Sequence, residues 1–109
     1  MQKQNPIQGP DYPITYQGPT FSFGVYWPYK EPFDPINSQA DIHLQINNQT
    51  YVGSVITVRH LQVKEDRYKE GDLETLLLVP EITQGIIADR IKLLLEQNSL
   101  TEYFYKKRH

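Results

Sequence analysis

Large hydrophobic residues alternate with smaller or polar residues along residues 20–27, TFSFGVYW. A period of two with bulky side chains on one side is typical of a half-buried strand. The bulky side of this predicted strand carries Phe21, Phe23, Val25 and Trp27. We expect these side chains to fill the core of the domain rather than to contact a partner.

The same alternation returns in residues 41–47 and continues, after a short polar interruption, in residues 50–58. Asparagine tolerates positive φ, so Asn47-Asn48 can form a two-residue type I′ turn and join the two segments as a hairpin. That turn pairs Leu44 with Tyr51. A three-residue loop would instead shift the register by one residue and turn the other set of side chains inward. Because the second segment is apolar on both faces, the pattern leaves this choice open.

Residues 58–70, VRHLQVKEDRYKE, fit either a helix capped by Thr57 or a continuation of the preceding strand, and we favour the helix. Residues 73–79 form a run of mostly apolar residues between Gly71 and Pro80. Such a run predicts a strand that is buried on both faces.

Residues 84–97 have the pattern of an amphipathic helix. Thr83 is a suitable N-cap residue, and Ile82 and Ile87 occupy the two positions of a hydrophobic staple. Asn98 can end the helix. Its apolar stripe consists of Ile86, Ile87, Ile91, Leu94 and Leu95.

The last residues predict a second, short helix. Ser99 and Glu102 have the spacing of a capping box, and Leu100, Tyr103 and Phe104 are available for packing. Lys106–Arg108 would then lie at the C-terminal end of this helix, where cations interact favourably with the helix dipole.

Seven of the eight prolines precede residue 36. Proline fixes φ and removes a backbone donor, so residues 1–19 are not expected to form a central strand or a helix interior. We interpret residues 1–19 as an extended arm and residues 20–109 as a single α+β domain. The predicted fold is a four-stranded, mainly antiparallel sheet with the 84–97 helix on one face and a short final helix.

The composition narrows the class of function. A formal net charge of −2 gives no sign of the basic face that nucleic-acid-binding modules carry. The absence of cysteine excludes disulfides, thiolate metal sites and a cysteine nucleophile. No apolar run approaches the roughly 20 residues needed to span a bilayer, and the N-terminus lacks the apolar region of a signal peptide. We therefore expect a soluble, cytoplasmic protein that binds neither membranes nor nucleic acids.

Candidate chemistry is limited to a few residues. Asp41 and His43 lie two residues apart on the polar face of a predicted strand, so together they could begin a metal site or a general base with its orienting carboxylate. Zinc requires at least three protein ligands, which favours a simple solvent-exposed histidine. His60 lies in the ambiguous segment, and Ser54 lacks the second glycine of a nucleophile elbow. We expect no cofactor, no metal and no catalytic residue, and an enzyme using Asp41, His43 or His60 is the less favoured alternative.

From residue 40 onward, the order of features is an alternating strand, an Asn-rich turn, a Tyr-x-Gly-x-x-x-Thr strand, a charged segment, a strand ending in LLVPEIT, an amphipathic helix and the tail LTEYFYK. This order resembles small bacterial immunity-like proteins encoded beside polymorphic toxins. The resemblance implies a protein that binds and occludes a toxin without chemistry. The residues that carry it are Tyr51, Gly53, Thr57, Val79, Ile82, Thr83, Ile86, Ile91, Leu94 and Leu100–Phe104.

The strand pattern leaves Tyr26, Tyr29 and Phe33 unexplained, and these are the predicted partner-binding residues. Tyrosine combines a large contact area with a polar tip, and the neighbouring prolines limit the entropy lost on binding. Two alternatives remain open. The rings can pack under the arm. Alternatively, the protein can be a homo-oligomeric structural or accessory protein, for example one encoded by a phage, whose aromatic N-terminal arm mediates self-association.

Overall fold

The computed structural model describes residues 9–63 and 75–107. Its strands are β1 (Ile14–Gln17), β2 (Phe21–Tyr26), β3 (Gln39–Ile46), β4 (Gln49–Thr57), β5 (Leu76–Val79) and β6 (Phe104–Lys106). Its helices are α1 (Val58–Val63), α2 (Gln84–Glu96) and a single 3-10 turn, Leu100–Glu102. The α+β class is confirmed.

The strands form one sheet in the order β1-β2-β3-β4-β5, with β6 also paired to β4. The neighbours β1 to β4 run antiparallel, and β6 is antiparallel to β4. Only β5 runs parallel to β4. The mainly antiparallel sheet is therefore confirmed, whereas the predicted number of four strands is wrong.

The two additional strands are β1, which lies in the predicted extended arm, and β6, which lies in the predicted final helix. β1 forms within the proline-rich segment and pairs with β2 at the edge of the sheet, a position that requires hydrogen bonds on only one side of the strand. The Gln84 side chain donates to the Thr15 carbonyl at 2.7 Å, so one carbonyl of this edge strand is bonded by α2. Edge strands in native proteins are commonly protected in this way.

The β3–β4 hairpin has the register of the two-residue turn. Leu44 lies opposite Tyr51, and Ile46 opposite Gln49, so only Asn47-Asn48 remain in the loop. Asn47 has a φ of 57°, the left-handed conformation that asparagine tolerates. Asn48 does not have a positive φ, so the loop has the length of a type I′ turn without its dihedral angle at the second position.

This register divides the side chains of the sheet between an inner and an outer face. Directly opposed residues share a face, and the inner face holds Phe23 of β2, Leu44 of β3 and Val55 of β4, all fully buried. The same hydrophobic cluster includes Ile87, Ala88, Ile91 and Leu94 of α2, so strands and helix share one core. Trp27 and β1 residues Ile14 and Tyr16 pack against it while remaining partly exposed.

The helix α2 begins at the cap that the sequence predicts. The Thr83 hydroxyl accepts a hydrogen bond from the Ile86 N–H at 3.2 Å, and Ile82 is fully buried beside it. The helix ends at Glu96, and Asn98 adopts a positive φ of 58° just beyond it.

The segment after β4 begins as a helix, as favoured above. Val58–Val63 is helical, and the Thr57 hydroxyl caps it by accepting from the His60 N–H at 3.2 Å. The rest of this segment, and the first two residues of the predicted strand 73–79, lie outside the described residues.

The chain end differs from the prediction of a capped helix. Ser99 makes no capping hydrogen bond through its side chain, and the helix is a single 3-10 turn. Phe104–Lys106 then pair with β4, and the Lys107 N–H donates to the Thr50 carbonyl at 2.8 Å. Phe104 points inward and Tyr105 outward, which is the alternation of a strand. The edge of β4 that does not pair with β3 supplies the hydrogen-bonding partner for this strand. The expectation that the basic residues follow a helix is therefore wrong for Lys106 and Lys107.

Among the described residues, neither α1 nor α2 has the length and apolar character that a membrane span requires.

Gly53 allows β6 to reach the sheet, because a Cβ at this position would lie 2.7 Å from the Phe104 ring and 2.9 Å from the Tyr103 carbonyl oxygen. We predict that Gly53→Ala lowers the free energy of unfolding by about 1–3 kcal/mol, the usual effect of overpacking a filled core. Urea denaturation measures this change. Gly85→Ala is the matched control: a Cβ there meets nothing within 4 Å, and alanine in a helix stabilises by up to about 1 kcal/mol. Equal effects of the two substitutions would contradict the role of Gly53.

Candidate functional site

The three predicted binding residues lie around the end of β2, in two different environments. Tyr26 is the last residue of β2 and projects from the outer face, because it lies opposite Asp41 rather than opposite a core residue. Tyr29 and Phe33 lie in the connection between β2 and β3, residues 27–38, which we call the aromatic loop.

The first half of the aromatic loop is organised by Trp27. Its backbone N–H donates to the Asp11 carbonyl at 2.7 Å, and its indole N–H donates to the Glu31 carbonyl at 2.8 Å. The indole ring meets the Tyr29 ring edge to face, with centroids 4.8 Å apart, and the Phe33 ring similarly at 5.5 Å. These are favourable aromatic geometries, so one indole positions both rings.

The second half of the aromatic loop is held by hydrogen bonds. The Asp34 carboxylate accepts from the Ile36 N–H at 2.9 Å, and the Ser38 hydroxyl donates to the Asp34 carbonyl. The Pro35 carbonyl accepts from the Ile82 N–H at 2.8 Å, which ties the loop to the segment before α2. The loop is thus bonded within itself and to the core of the domain.

The side chains of the aromatic loop differ in their exposure to solvent. Tyr29 is 59% exposed and Ile36 is 47% exposed, whereas Phe33 and Trp27 pack against the core. A groove of about 560 Å³ opens beside Pro35 and is bordered by Pro13, Thr83 and Gln84. The aromatic loop therefore carries an exposed tyrosine that packs on one partly buried indole, and its Pro35 borders a concave surface.

The outer face carries a second aromatic cluster that includes Tyr26. Its ring stacks on the imidazole of His43 with centroids 4.6 Å apart. Tyr12, from the segment before β1, contacts both rings at 5.6 Å, and its hydroxyl lies 2.7 Å from His43 Nδ1. Tyr12 was not among the residues predicted from the pattern, because only the pairing of β1 with β2 brings it over β3.

The titration properties of this cluster follow from its surroundings. Burial lowers the pKa of His43 below its ordinary value, and the charge of Lys107 acts in the same direction, while Asp41 partly opposes both. Burial raises the pKa of Tyr12, with further contributions from Tyr26 and Asp11. The lowered pKa of His43 and the raised pKa of Tyr12 favour a neutral imidazole and a neutral phenol. The tautomer of the imidazole decides which of the two groups donates the hydrogen bond between them.

The other candidate residues have separate partners. The carboxylate of Asp41 accepts from the Ser54 hydroxyl at 3.1 Å, so it does not orient the His43 ring through a hydrogen bond. His60 Nδ1 lies 3.0 Å from the Asn37 side-chain oxygen. Within residues 9–63 and 75–107, no group of three or more metal-ligating side chains comes together. In this part of the chain, the structure offers a hydrogen-bonded histidine and exposed aromatic rings.

Comparison of the chain with known proteins finds no matching family model, no matching curated protein and no matching solved structure.

The pKa of His43 makes the stability of the fold depend on pH. Because the pKa is lowered from 6.5 in the folded state, the unfolded chain binds more protons as the pH falls below 6.5. We predict that this contribution to the free energy of unfolding is fully present above pH 6.5 and is lost as the pH falls through the folded-state pKa. Urea denaturation at a series of pH values measures it.

The pH slope in that range should become shallower in His43→Gln and should persist in His60→Gln, which removes an imidazole at another position. An unchanged slope in His43→Gln would show that His43 has the same pKa in the folded and unfolded chain.

Proposed function

We propose that this chain is a non-catalytic protein-binding domain, acting in the cytoplasm as an immunity or inhibitor protein that occludes a partner toxin. We assign the contact surface to the aromatic loop. The observation that carries this proposal is the exposure of Tyr29 on a loop whose remaining rings and backbone groups are held by internal contacts.

A pre-organised tyrosine suits this role energetically. Immobilising a mobile side chain at an interface costs about 0.5–1.5 kcal/mol, and that cost is smaller for a ring already packed against another ring. Trp27 supplies that ring for Tyr29, and the three prolines of the loop fix φ at their positions. Tyrosine and tryptophan are also the residues most often found to dominate binding energy in interfaces.

The sequence around Tyr29 supplies polar residues of the kind found at the rim of an interface. Charged side chains flank it in the sequence, with Lys30 and Glu31 directly after it and Asp34 later in the loop. Interfaces typically combine an apolar centre with a polar rim, and the groove beside Pro35 adds a concavity for a protruding element of the partner. Occlusion of a toxin would need no catalytic group.

We predict that Tyr29→Ala weakens binding to the product of the neighbouring toxin-like gene by about 2 kcal/mol, or roughly 30-fold in Kd, as expected for an aromatic anchor at the centre of an interface. Isothermal titration calorimetry measures the affinity, and protection of growth during co-expression measures its effect in the cell. Tyr105→Ala is the matched control, since Tyr105 is 65% exposed on β6. Equal losses from both substitutions, or a gene neighbourhood without a toxin-like reading frame, would count against the proposal.

A second candidate function is self-association through exchange of the N-terminal arm. The observation that favours it is that β1 pairs with β2 alone among the described strands, while Ile14 and Tyr16 still pack against the core. The same strand from a second copy would fill this place equally well, which is the basis of domain swapping. The partner would then be another copy of the chain rather than a toxin.

A cross-strand disulfide distinguishes the two arrangements. Gln17 lies opposite Ser22, and the chain has no other cysteine that would interfere with Gln17→Cys/Ser22→Cys. For the exchanged form we predict a covalent dimer after oxidation, seen on a non-reducing gel at low protein concentration. A covalent monomer, together with a monomeric mass in solution, rejects arm exchange.

A further inference from the structure

Trp27 and Tyr29 form a corner of two aromatic rings at the surface, which we call the aromatic corner. The two ring planes meet at 77°, and their centroids are 4.8 Å apart. Tyr29 is mostly exposed and Trp27 is partly exposed, so solvent reaches both residues. A cation is attracted to an aromatic face when it lies within about 6 Å of the ring centroid. Because the centroids are only 4.8 Å apart, one cation in the corner can lie within this distance of both rings.

The backbone places two acidic residues beside the indole of Trp27. The Asp11 carbonyl accepts from the Trp27 backbone N–H at 2.7 Å, and the Glu31 carbonyl accepts from the indole N–H at 2.8 Å. Both acidic residues are exposed. Their negative charges add to the attraction that the rings exert on a cation. Since the indole N–H is already bonded to Glu31, the ring offers a ligand its face rather than a hydrogen-bond donor.

The other charges around the aromatic corner are mostly negative. Asp34 lies in the same loop, and Glu81 borders the groove beside Pro35. The bond from the Ile82 N–H to the Pro35 carbonyl brings Glu81 next to the loop. Lys30 is the only basic residue of the aromatic loop, and its charge opposes a bound cation. With the two acidic residues beside the indole, four carboxylates face one ammonium group, so this surface is complementary to a positively charged partner.

Among cationic side chains, arginine has the properties that this corner selects. Its guanidinium group is planar, stacks on aromatic faces and is more weakly hydrated than the ammonium group of lysine. It therefore loses less on leaving water for a site made of two rings. Its N–H groups also form strong hydrogen bonds with carboxylates. A guanidinium stacked on Tyr29 can direct these donors toward Glu31, which follows two residues later in the loop.

We propose that the aromatic corner, with Glu31 and Asp11 beside it, is a binding site for an arginine side chain of the partner protein. The site rests on the proposed function, since the aromatic loop is the proposed contact surface, and it names the group that this surface receives. Arginine is one of the residues enriched at interfaces and among the side chains that dominate binding energy. The partner accordingly presents an arginine on a protruding element.

The indole of Trp27 reports occupation of the site, because it is the only tryptophan and its N–H gives a single signal in a proton–nitrogen NMR correlation spectrum. We expect N-acetyl-arginine amide, added to the full-length protein at millimolar concentrations, to shift this signal in a saturable manner. N-acetyl-citrulline amide is the matched ligand, because its side chain has a similar planar shape without the charge. It should bind about two- to fivefold more weakly, the usual contribution of a cation–π contact at an exposed site.

Four variants test the residues of the site. Tyr29→Ala should weaken arginine binding by about two- to fivefold, and Glu31→Gln should weaken it by a similar factor. Lys30→Gln should tighten it, since a like charge is removed. Tyr105→Ala is the matched control for Tyr29→Ala, because it removes an equally exposed ring from β6, and it should leave the affinity unchanged. The dispersion of the same spectra verifies that each variant is folded.

Three outcomes would overturn the arginine site: an indole signal that does not shift, equal affinities for the arginine and citrulline ligands, or equal affinities of Tyr29→Ala and the unmodified protein. Weaker binding in Lys30→Gln would contradict its electrostatic basis. Because these titrations use no partner protein, they can fail while Tyr29→Ala still weakens binding to the toxin-like gene product. That result would uphold the contact surface and reject the arginine. Conversely, arginine binding with no effect of Tyr29→Ala on partner binding would uphold the site and reject the proposed function.

Discussion

The register between β3 and β4 is the constraint on which the rest of the structure depends. Side chains alternate between the faces of a sheet, so a shift of one residue in this hairpin would exchange the inner and outer sets on β4. With Leu44 opposite Tyr51, Gly53 falls on the inner face and Val52 on the outer face. That choice aligns Gly53 with Phe104 of β6 and places Val52 opposite His43 on the outer face.

The strand β4 also explains why the sheet has more strands than the hydrophobic pattern of the sequence predicts. One edge pairs with β3 from Gln49 to Ile56, while the other edge pairs first with β6 and then with β5. Two short strands that would be marginal alone thereby share one long partner. Gly53 lies where the two pairings meet, and the Phe104 ring occupies the space that a larger residue would fill.

The two aromatic clusters use their rings differently. In the aromatic loop, Trp27 and Phe33 contact the core, and the Trp27 ring supports an exposed Tyr29. On the outer face, Tyr12 and Tyr26 enclose a histidine and leave it partly exposed to solvent. The first arrangement provides contact area on a side chain that would lose little conformational entropy on binding. The second provides a titratable group. The Asp11–Trp27 hydrogen bond connects the segment that carries Tyr12 to the aromatic loop.

The sequence by itself determined the elements whose signals are local. Alternation predicted β2 and the β3–β4 hairpin, and the cap at Thr83 with its apolar stripe predicted α2, because periodicity and capping depend on neighbouring residues. Only the tertiary structure decided β1 and β6, since an edge strand with few apolar residues forms when a neighbour supplies its hydrogen bonds. The same holds for the site. Tyr29 and Phe33 stand out as aromatic residues in the sequence. Tyr12 and His43 are 31 residues apart, and they meet because β1 pairs with β2 and β2 pairs with β3. Contacts of this range are set by the register of the whole sheet, which no single segment encodes.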